Sequence, residues 1–437
     1  MHLNRRTVTL GLAALPLMPR LAMADDAPIT PEAVLARWYK LVLELVRHTA
    51  TQTPPVASRA FAYLGITAHE VVAGTGASLT LAGQVNGLTP APACDPAQTY
   101  ALPAMLHGAM AQAVAELFAN TGPTGQRAMA SMAAKLGDRV AAGVDGATLA
   151  RSLEQGADVA RHILTWAQDD GGAAVVNMGF PMDYPKSDVP GAWVPTNVIA
   201  VQQTPLLPDW GKNRPFAMPA MSCGLQTQLP YSEEPGSPFR LQAEEVMAIR
   251  AALTDEQKLI ARFWSDDPML SPTPPGHWIS IAMQILARDS ADVATCADVL
   301  ARVGIAVADG FIACWATKFE VNLLRPITYI RKVVGEAKWE PLLNTPPFPE
   351  FPSGHSTQSA AAAAVLTAYF GENFAFDDAT HVDDGLPVRS FASFAAAAEE
   401  AALSRLYGGI HFREAVEAGL TQGQCVGAHA AALQTKV

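Results

Sequence analysis

Phe348-Pro-Glu-Phe-Pro-Ser-Gly-His355, followed at once by Ser-Thr-Gln-Ser and a run of alanines, is the stretch on which the reading of this chain turns. The prolines favour a turn, and the alanines favour a helix that starts at Pro-Ser-Gly-His. A helix start has free N–H groups and the positive end of its dipole, and both attract an anion. Ser353 adds a hydroxyl, Gly354 lets the backbone approach closely, and His355 is a titratable ring beside the same point. Such a cap becomes an oxyanion site only if cations reach it from elsewhere in the chain.

Two other segments supply them. Lys318 and Arg325 are seven residues apart, two helical turns, so the spacing places them on one helix face, with Pro326 ending or kinking that helix near Arg325. In Ser404-Arg405-Leu-Tyr-Gly-Gly-Ile-His411, the glycine pair predicts that one helix stops after Arg405 and that His411 opens the next. Each piece alone is more simply a solvated cation pair, a serine cap or a packed histidine. Their co-occurrence in this order is specific.

Lys-x6-Arg-Pro, Pro-Ser-Gly-His and Ser-Arg-x5-His in this order resemble the motif blocks of the vanadium-dependent haloperoxidases. That family shares its fold and oxyanion site with the type 2 phosphatidic acid phosphatase superfamily. Residues 290–432 carry the resemblance most specifically. Trp193-Val-Pro-Thr196, Asp209-Trp-Gly-Lys-Asn-Arg-Pro-Phe216 and Thr273-Pro-Pro-Gly-His277-Trp278 resemble the longer bacterial members, so the likeness covers nearly all of the mature chain.

The resemblance implies an all-α helical bundle and a bound vanadate, with phosphate able to occupy the same cradle. Lys318, Arg325, Ser353, Gly354 and Arg405 would hold the oxygens, and His411 would be the vanadium ligand and His355 the acid/base. Lys318 would also polarise the oxidant. Trp315 and Phe348 match aromatic positions beside the halide, although core packing explains an aromatic there equally well. The implied reaction oxidises halide with hydrogen peroxide to hypohalous acid, which acts on a small organic acceptor. Two alternatives stand beside it: an exported acid phosphatase with His411 as the nucleophile, and an oxyanion-binding protein without turnover. One departure bears on the choice. Both families commonly carry Asp four residues after the second histidine, whereas this chain has Ala415, with Glu414 one residue earlier. A nucleophilic histidine loses more from that absence than a metal ligand does, which favours vanadate. Glu414 or a backbone carbonyl is the candidate replacement.

Composition fits this reading. Half of the 437 residues are apolar, enough for a large core. Asn4-Arg5-Arg6-Thr7 followed by a short apolar run and Ala22-Met23-Ala24 predicts a twin-arginine export signal over 1–24, and hence a periplasmic or secreted protein, with one domain over 25–437. No later stretch reads as apolar enough to span a bilayer. Thirty basic residues stand against 41 acidic ones, which argues against nucleic acid or an anionic membrane as partner and for a local positive pocket in a negative body. Surplus apolar helix surface leaves a homodimer open. The five cysteines have no metal-type spacing, and Cys94 and Cys223 are the loop-like ones.

Periodicity predicts helices over 31–49, 55–75, 99–119, 123–137, 147–170, 242–266, 277–288, 291–334, 353–371, 391–407 and 411–433. The Gly- and Pro-rich stretch 171–240 is too long for a casual loop and too rich in aromatics for disorder; the resemblance implies an ordered segment covering the bundle, with a linker between two bundles as the alternative. His277 reads as opening a helix; the resemblance would place it at the site entrance, but a capping or packing histidine is the simpler reading, and His381 is assigned no role. Asp383-Asp384-Gly385 reads as a turn.

Overall fold

The structure is a computed structural model and describes residues 28–185, 187–197, 199 and 202–437. The expected export signal lies outside the described residues. The all-α expectation holds: helices dominate, and the sheet structure is a short hairpin of β1 (Phe376–Asp378) and β2 (Arg389–Phe391). The helices are α1 (Pro31–Arg47), α2 (Pro54–Ala73), α3 (Leu102–Leu117), α4 (Pro123–Ala141), α5 (Gly146–Ala167), α6 (Pro238–Ala251), α7 (Asp255–Phe263), α8 (Thr273–Arg288), α9 (Val293–Val321), α10 (Pro326–Tyr329), α11 (Gly354–Phe370), α12 (Phe394–Tyr407) and α13 (Arg413–Ala431).

Four departures from the periodicity have local causes. The 242–266 helix is two, because Thr254 and Gln257 form a capping box that starts α7 afresh. The 291–334 helix stops at Val321, where Asn322 turns left-handed at φ 49° and its N–H caps the Lys318 carbonyl. Arg325 is then extended before Pro326, as steric conflict with the following ring requires. Lys318 and Arg325 therefore do not share one helix. His411 does not open α13 but precedes its cap, Phe412. His277 lies one turn inside α8 rather than at its start.

One core runs from Ile29 in the N-terminal part to Leu433, with α2 and α9 buried through it. By length and composition α9 could cross a membrane, contrary to the sequence expectation, but 94% of its apolar window is buried inside the fold. It is the central core helix. Beneath the site, α13 presses onto α11 at a spacing of four residues: a Cβ on Gly423 would lie 2.1 Å from the Thr357 carbonyl oxygen, and one on Gly427 2.6 Å from that of Ala361. Only glycine permits that approach.

The described residues of 171–237 drape over this bundle, with a 3-10 turn at Trp210–Lys212. Their anchors are polar. The buried Asp309 carboxylate on α9 accepts the N–H groups of Phe216, Ala217 and Met218. Burial outweighs these bonds and pushes Asp309 up to about 6. Ala192 bridges to Leu323, and Leu206 N–H donates to the Pro347 carbonyl. A disulfide between Cys223 and Cys425 ties the segment to α13, while Cys94 is free. Asp384 and Gly385 form a turn, as expected, with Gly385 at φ 81°.

Candidate active site

The three motif segments meet at the start of α11. Ser353 caps that helix, its hydroxyl accepting from Ser356 N–H, and its own N–H is held by the Ala415 carbonyl. Around it Lys318, Arg325, Arg405 and His411 are all buried. Gly354, His355, Arg405 and His411 line a cavity of about 710 Å³, together with Trp315, Phe348 and Phe311. A Cβ on Gly354 would stand 3.7 Å from Trp315 and 3.8 Å from the Cys314 sulfur, with no clash. Packing therefore does not demand glycine, and a side chain would only fill the cradle.

His411 is the best-defined member. Its Nδ1 lies 2.9 Å from Glu350 Oε1 and its Nε2 lies 3.0 Å from Arg325 Nη1. A guanidinium can only donate, so Nε2 is the acceptor and the ring proton sits on Nδ1, pointing at Glu350. Burial, with Arg325 and Lys318 nearby, holds His411 well below the usual histidine range. The ring is neutral, with its Nε2 lone pair turned toward the cations. Burial also raises Glu350, to about 7. Glu350 additionally accepts Phe412 N–H, 2.8 Å away.

Glu350 is the residue that sequence reasoning missed. It lies inside the quoted motif and supplies the carboxylate expected four residues after His411. Glu414 serves elsewhere, because its carboxylate accepts from Gln228 and Leu229 N–H and from the Thr227 hydroxyl, anchoring the covering segment.

The cations differ in what they leave open. Arg325 donates to the Phe348 and Ile410 carbonyls and to His411, and Arg405 to the Trp264 carbonyl. Arg325 Nη2, Arg405 Nε and His355 Nε2 are buried without a partner. An unsatisfied buried donor costs about 1–3 kcal/mol. The two arginine donors, with His355 Nε2 and the His411 lone pair beside them, fit a tetrahedral oxyanion. Lys318 is different, since its ammonium donates to the carbonyls of Pro349, Glu350 and Pro352. It lies over the Phe348 ring at 5.3 Å and organises the motif loop rather than offering a free donor. Burial lowers it to about 8. His355 is pushed well below the usual histidine range by burial and then by Arg405.

Trp315 and Phe348 pack as a tilted pair with ring centres 4.9 Å apart on one cavity wall, and the Trp315 indole donates to the Leu206 carbonyl of the covering segment. On another wall lies Asp266, which leads into a second buried cluster. Asp266 accepts from His277 Nδ1 at 3.0 Å and from His381 Nε2 at 3.1 Å, and His277 Nε2 donates to Asp378 at 2.8 Å. Burial opposes charge on His277, but Asp266 and Asp378 outweigh it and raise the ring. His277 does not line the cavity; it stacks behind Trp264 at 4.4 Å.

The geometry agrees with what the chain is similar to. Residues 298–437 match a family profile described as the VCPO second helical-bundle domain. A solved structure described as the first bacterial vanadium-dependent iodoperoxidase is 37% identical, with a TM-score of 0.83, over 92% of this chain and 97% of that one. Apo and holo bacterial vanadium-dependent chloroperoxidases share the fold at 16% and 17% identity, with TM-scores of 0.64 and 0.60 over 88% and 87% of this chain. Vanadium chloroperoxidase of Curvularia inaequalis is 30% identical over 132 residues, a match that spans only 22% of its length.

Proposed function

This chain belongs to the vanadium-dependent haloperoxidase family, and from that premise we propose that it oxidises halide, iodide foremost, with hydrogen peroxide in a vanadate-dependent reaction. The observation that carries the reading is the set of buried unpartnered groups, the donors of Arg325 and Arg405 and the Nε2 of His355, that accompany the His411 lone pair. The iodide preference rests on the 37% identical relative.

Bound vanadate would supply a Lewis-acidic centre that keeps one oxidation state while peroxide is activated toward halide. His411 Nε2 would be its protein ligand, released from Arg325 Nη1. Glu350 keeps the ring in the Nδ1-protonated tautomer, so the ligating nitrogen stays free of its proton. Arg325 Nη2, Arg405 Nε and the helix start at Ser353 and Gly354 hold the oxygens. His355, neutral at rest, takes and returns a proton at Nε2. Lys318 fixes the 349–352 carbonyls and thus the position of Glu350. The Trp315–Phe348 wall keeps water from the side where a polarisable halide would sit.

The phosphatase reading keeps one specific observation in its favour. With Glu350 on Nδ1, His411 has the carboxylate that a nucleophilic histidine needs, so Ala415 no longer argues against it. Vanadate-free protein assayed for triiodide formation with and without added orthovanadate, and separately for phosphate-ester hydrolysis, tests the choice. Vanadate-dependent iodide oxidation supports the proposal. Hydrolysis inhibited by vanadate, without iodide oxidation, overturns it. We propose export from the cytoplasm as well, supported by the Cys223–Cys425 disulfide, which an oxidising compartment favours.

A further inference from the structure

We infer that Asp266, His277 and His381 form a second site, for a divalent first-row transition-metal ion, behind Trp264 and reached from another wall of the cavity that the oxyanion cradle lines. The three are buried, and their ligand atoms all lie within 4.8 Å of one another. Asp266 Oδ1 is 3.1 Å from His277 Nδ1 and 3.1 Å from His381 Nε2. Two donors held on one ion at about 2.1 Å each stand roughly 3.0–3.4 Å apart, so the spacing already approaches that of a ligand set.

The outer shell points the same way. The ring nitrogens that face away from Asp266 are each held by another carboxylate: His277 Nε2 by Asp378 at 2.8 Å and His381 Nδ1 by Asp384 at 3.0 Å. Asp384 is in turn fixed by Arg47, and Asp378 by the Thr380 N–H. A carboxylate behind each imidazole is how metal-binding histidines are oriented and made more basic. Both remaining nitrogens converge on Asp266, which also lines the large cavity and so gives an ion a route in.

Charge balance permits the exchange. Without an ion, each ring carries protons on both nitrogens to serve its two carboxylates. A dication entering the centre displaces one proton from His277 Nδ1 and one from His381 Nε2, and both leave to solvent. Net charge is unchanged, and every outer hydrogen bond survives. Two imidazoles and one carboxylate suit zinc, cobalt or ferrous iron, not magnesium or calcium.

Cobalt(II) is the probe. Full-length, chelator-treated, vanadate-free protein is titrated with cobalt chloride near neutral pH while the visible d–d absorption and proton release are followed. The expected result is one ion per chain, a d–d band and about two protons released per ion. His381→Gln, at the outer edge of the cluster and checked for fold by circular dichroism, loses the band. Asp378→Asn weakens binding about 10- to 100-fold, and His411→Ala leaves it intact. Wild-type protein with neither band nor proton release overturns the inference and leaves the cluster an ion-pair network. So does a band that persists undiminished in folded His381→Gln.

Discussion

Two groups of buried charge flank Trp264, one against its carbonyl through Arg405 and one against its indole through His277, and they have been settled by opposite means. In the cradle, three buried cations accompany one buried carboxylate, Glu350, and Arg325 Nη2, Arg405 Nε, His355 Nε2 and Glu350 Oε2 have no partner. In the Asp266 cluster every imidazole nitrogen meets a carboxylate. Both sets are desolvated. The first is left with open donors that an anion can complete, and the second satisfies its own members when no ion is bound. Burial of charge alone does not mark a reactive site; the donors left over do.

That contrast sets the order of expected effects. The largest is on the closed cluster. Asp266→Asn leaves two buried imidazoles facing an amide and lowers stability by about 3–5 kcal/mol, measured by urea unfolding. Next, Arg405→Met removes a donor from the open cradle. Vanadate-dependent iodide oxidation falls about 10²- to 10³-fold, while stability changes by less than about 1 kcal/mol because one unsatisfied buried donor is lost with the charge. If Arg405→Met unfolds the protein as readily as Asp266→Asn, the two regions are not different in kind. Glu350→Gln is expected to weaken vanadate binding about 10- to 100-fold, by loosening the tautomer of His411. An unchanged dissociation constant in that variant would show that Glu350 does not prepare the ligand.

Asp309 lies outside both clusters and serves as a control. Its folded value, about 6, is raised above the ordinary 3.8 by burial. Its protonated form is therefore the one the fold favours, and its contribution is present at low pH and lost as pH rises through about 6. The stability of wild type relative to Asp309→Asn should fall across that window with a slope of up to about 1.4 kcal/mol per pH unit, then level off, in urea melts run at a series of pH values.

Much of the cradle was legible in the chain because its parts are short, local motifs. A serine cap before an alanine run, a proline after Arg325 and a glycine pair before His411 each declare their own backbone. What was not legible came from distance in sequence. Glu350 sits in the quoted motif, yet nothing local says that its carboxylate meets a ring sixty-one positions later. Lys318 carries the right charge, but only the folded loop shows three carbonyls consuming its donors. His381 and Asp266, 115 residues apart, have no shared pattern at all. The helix breaks at Asn322 and Leu253 were hidden because apolar periodicity runs through them, and capping chemistry overrode it.

If the open donors and the His411 Nε2 lone pair are built for one tetrahedral oxyanion, orthovanadate must bind there and nowhere else on the chain. Calorimetric titration of the purified protein with orthovanadate, beside His411→Ala, decides the matter. One ion should bind per wild-type chain and be displaced by phosphate, and binding should be lost in His411→Ala with the fold intact. Vanadate that fails to bind wild type, or that binds both proteins equally, would contradict this.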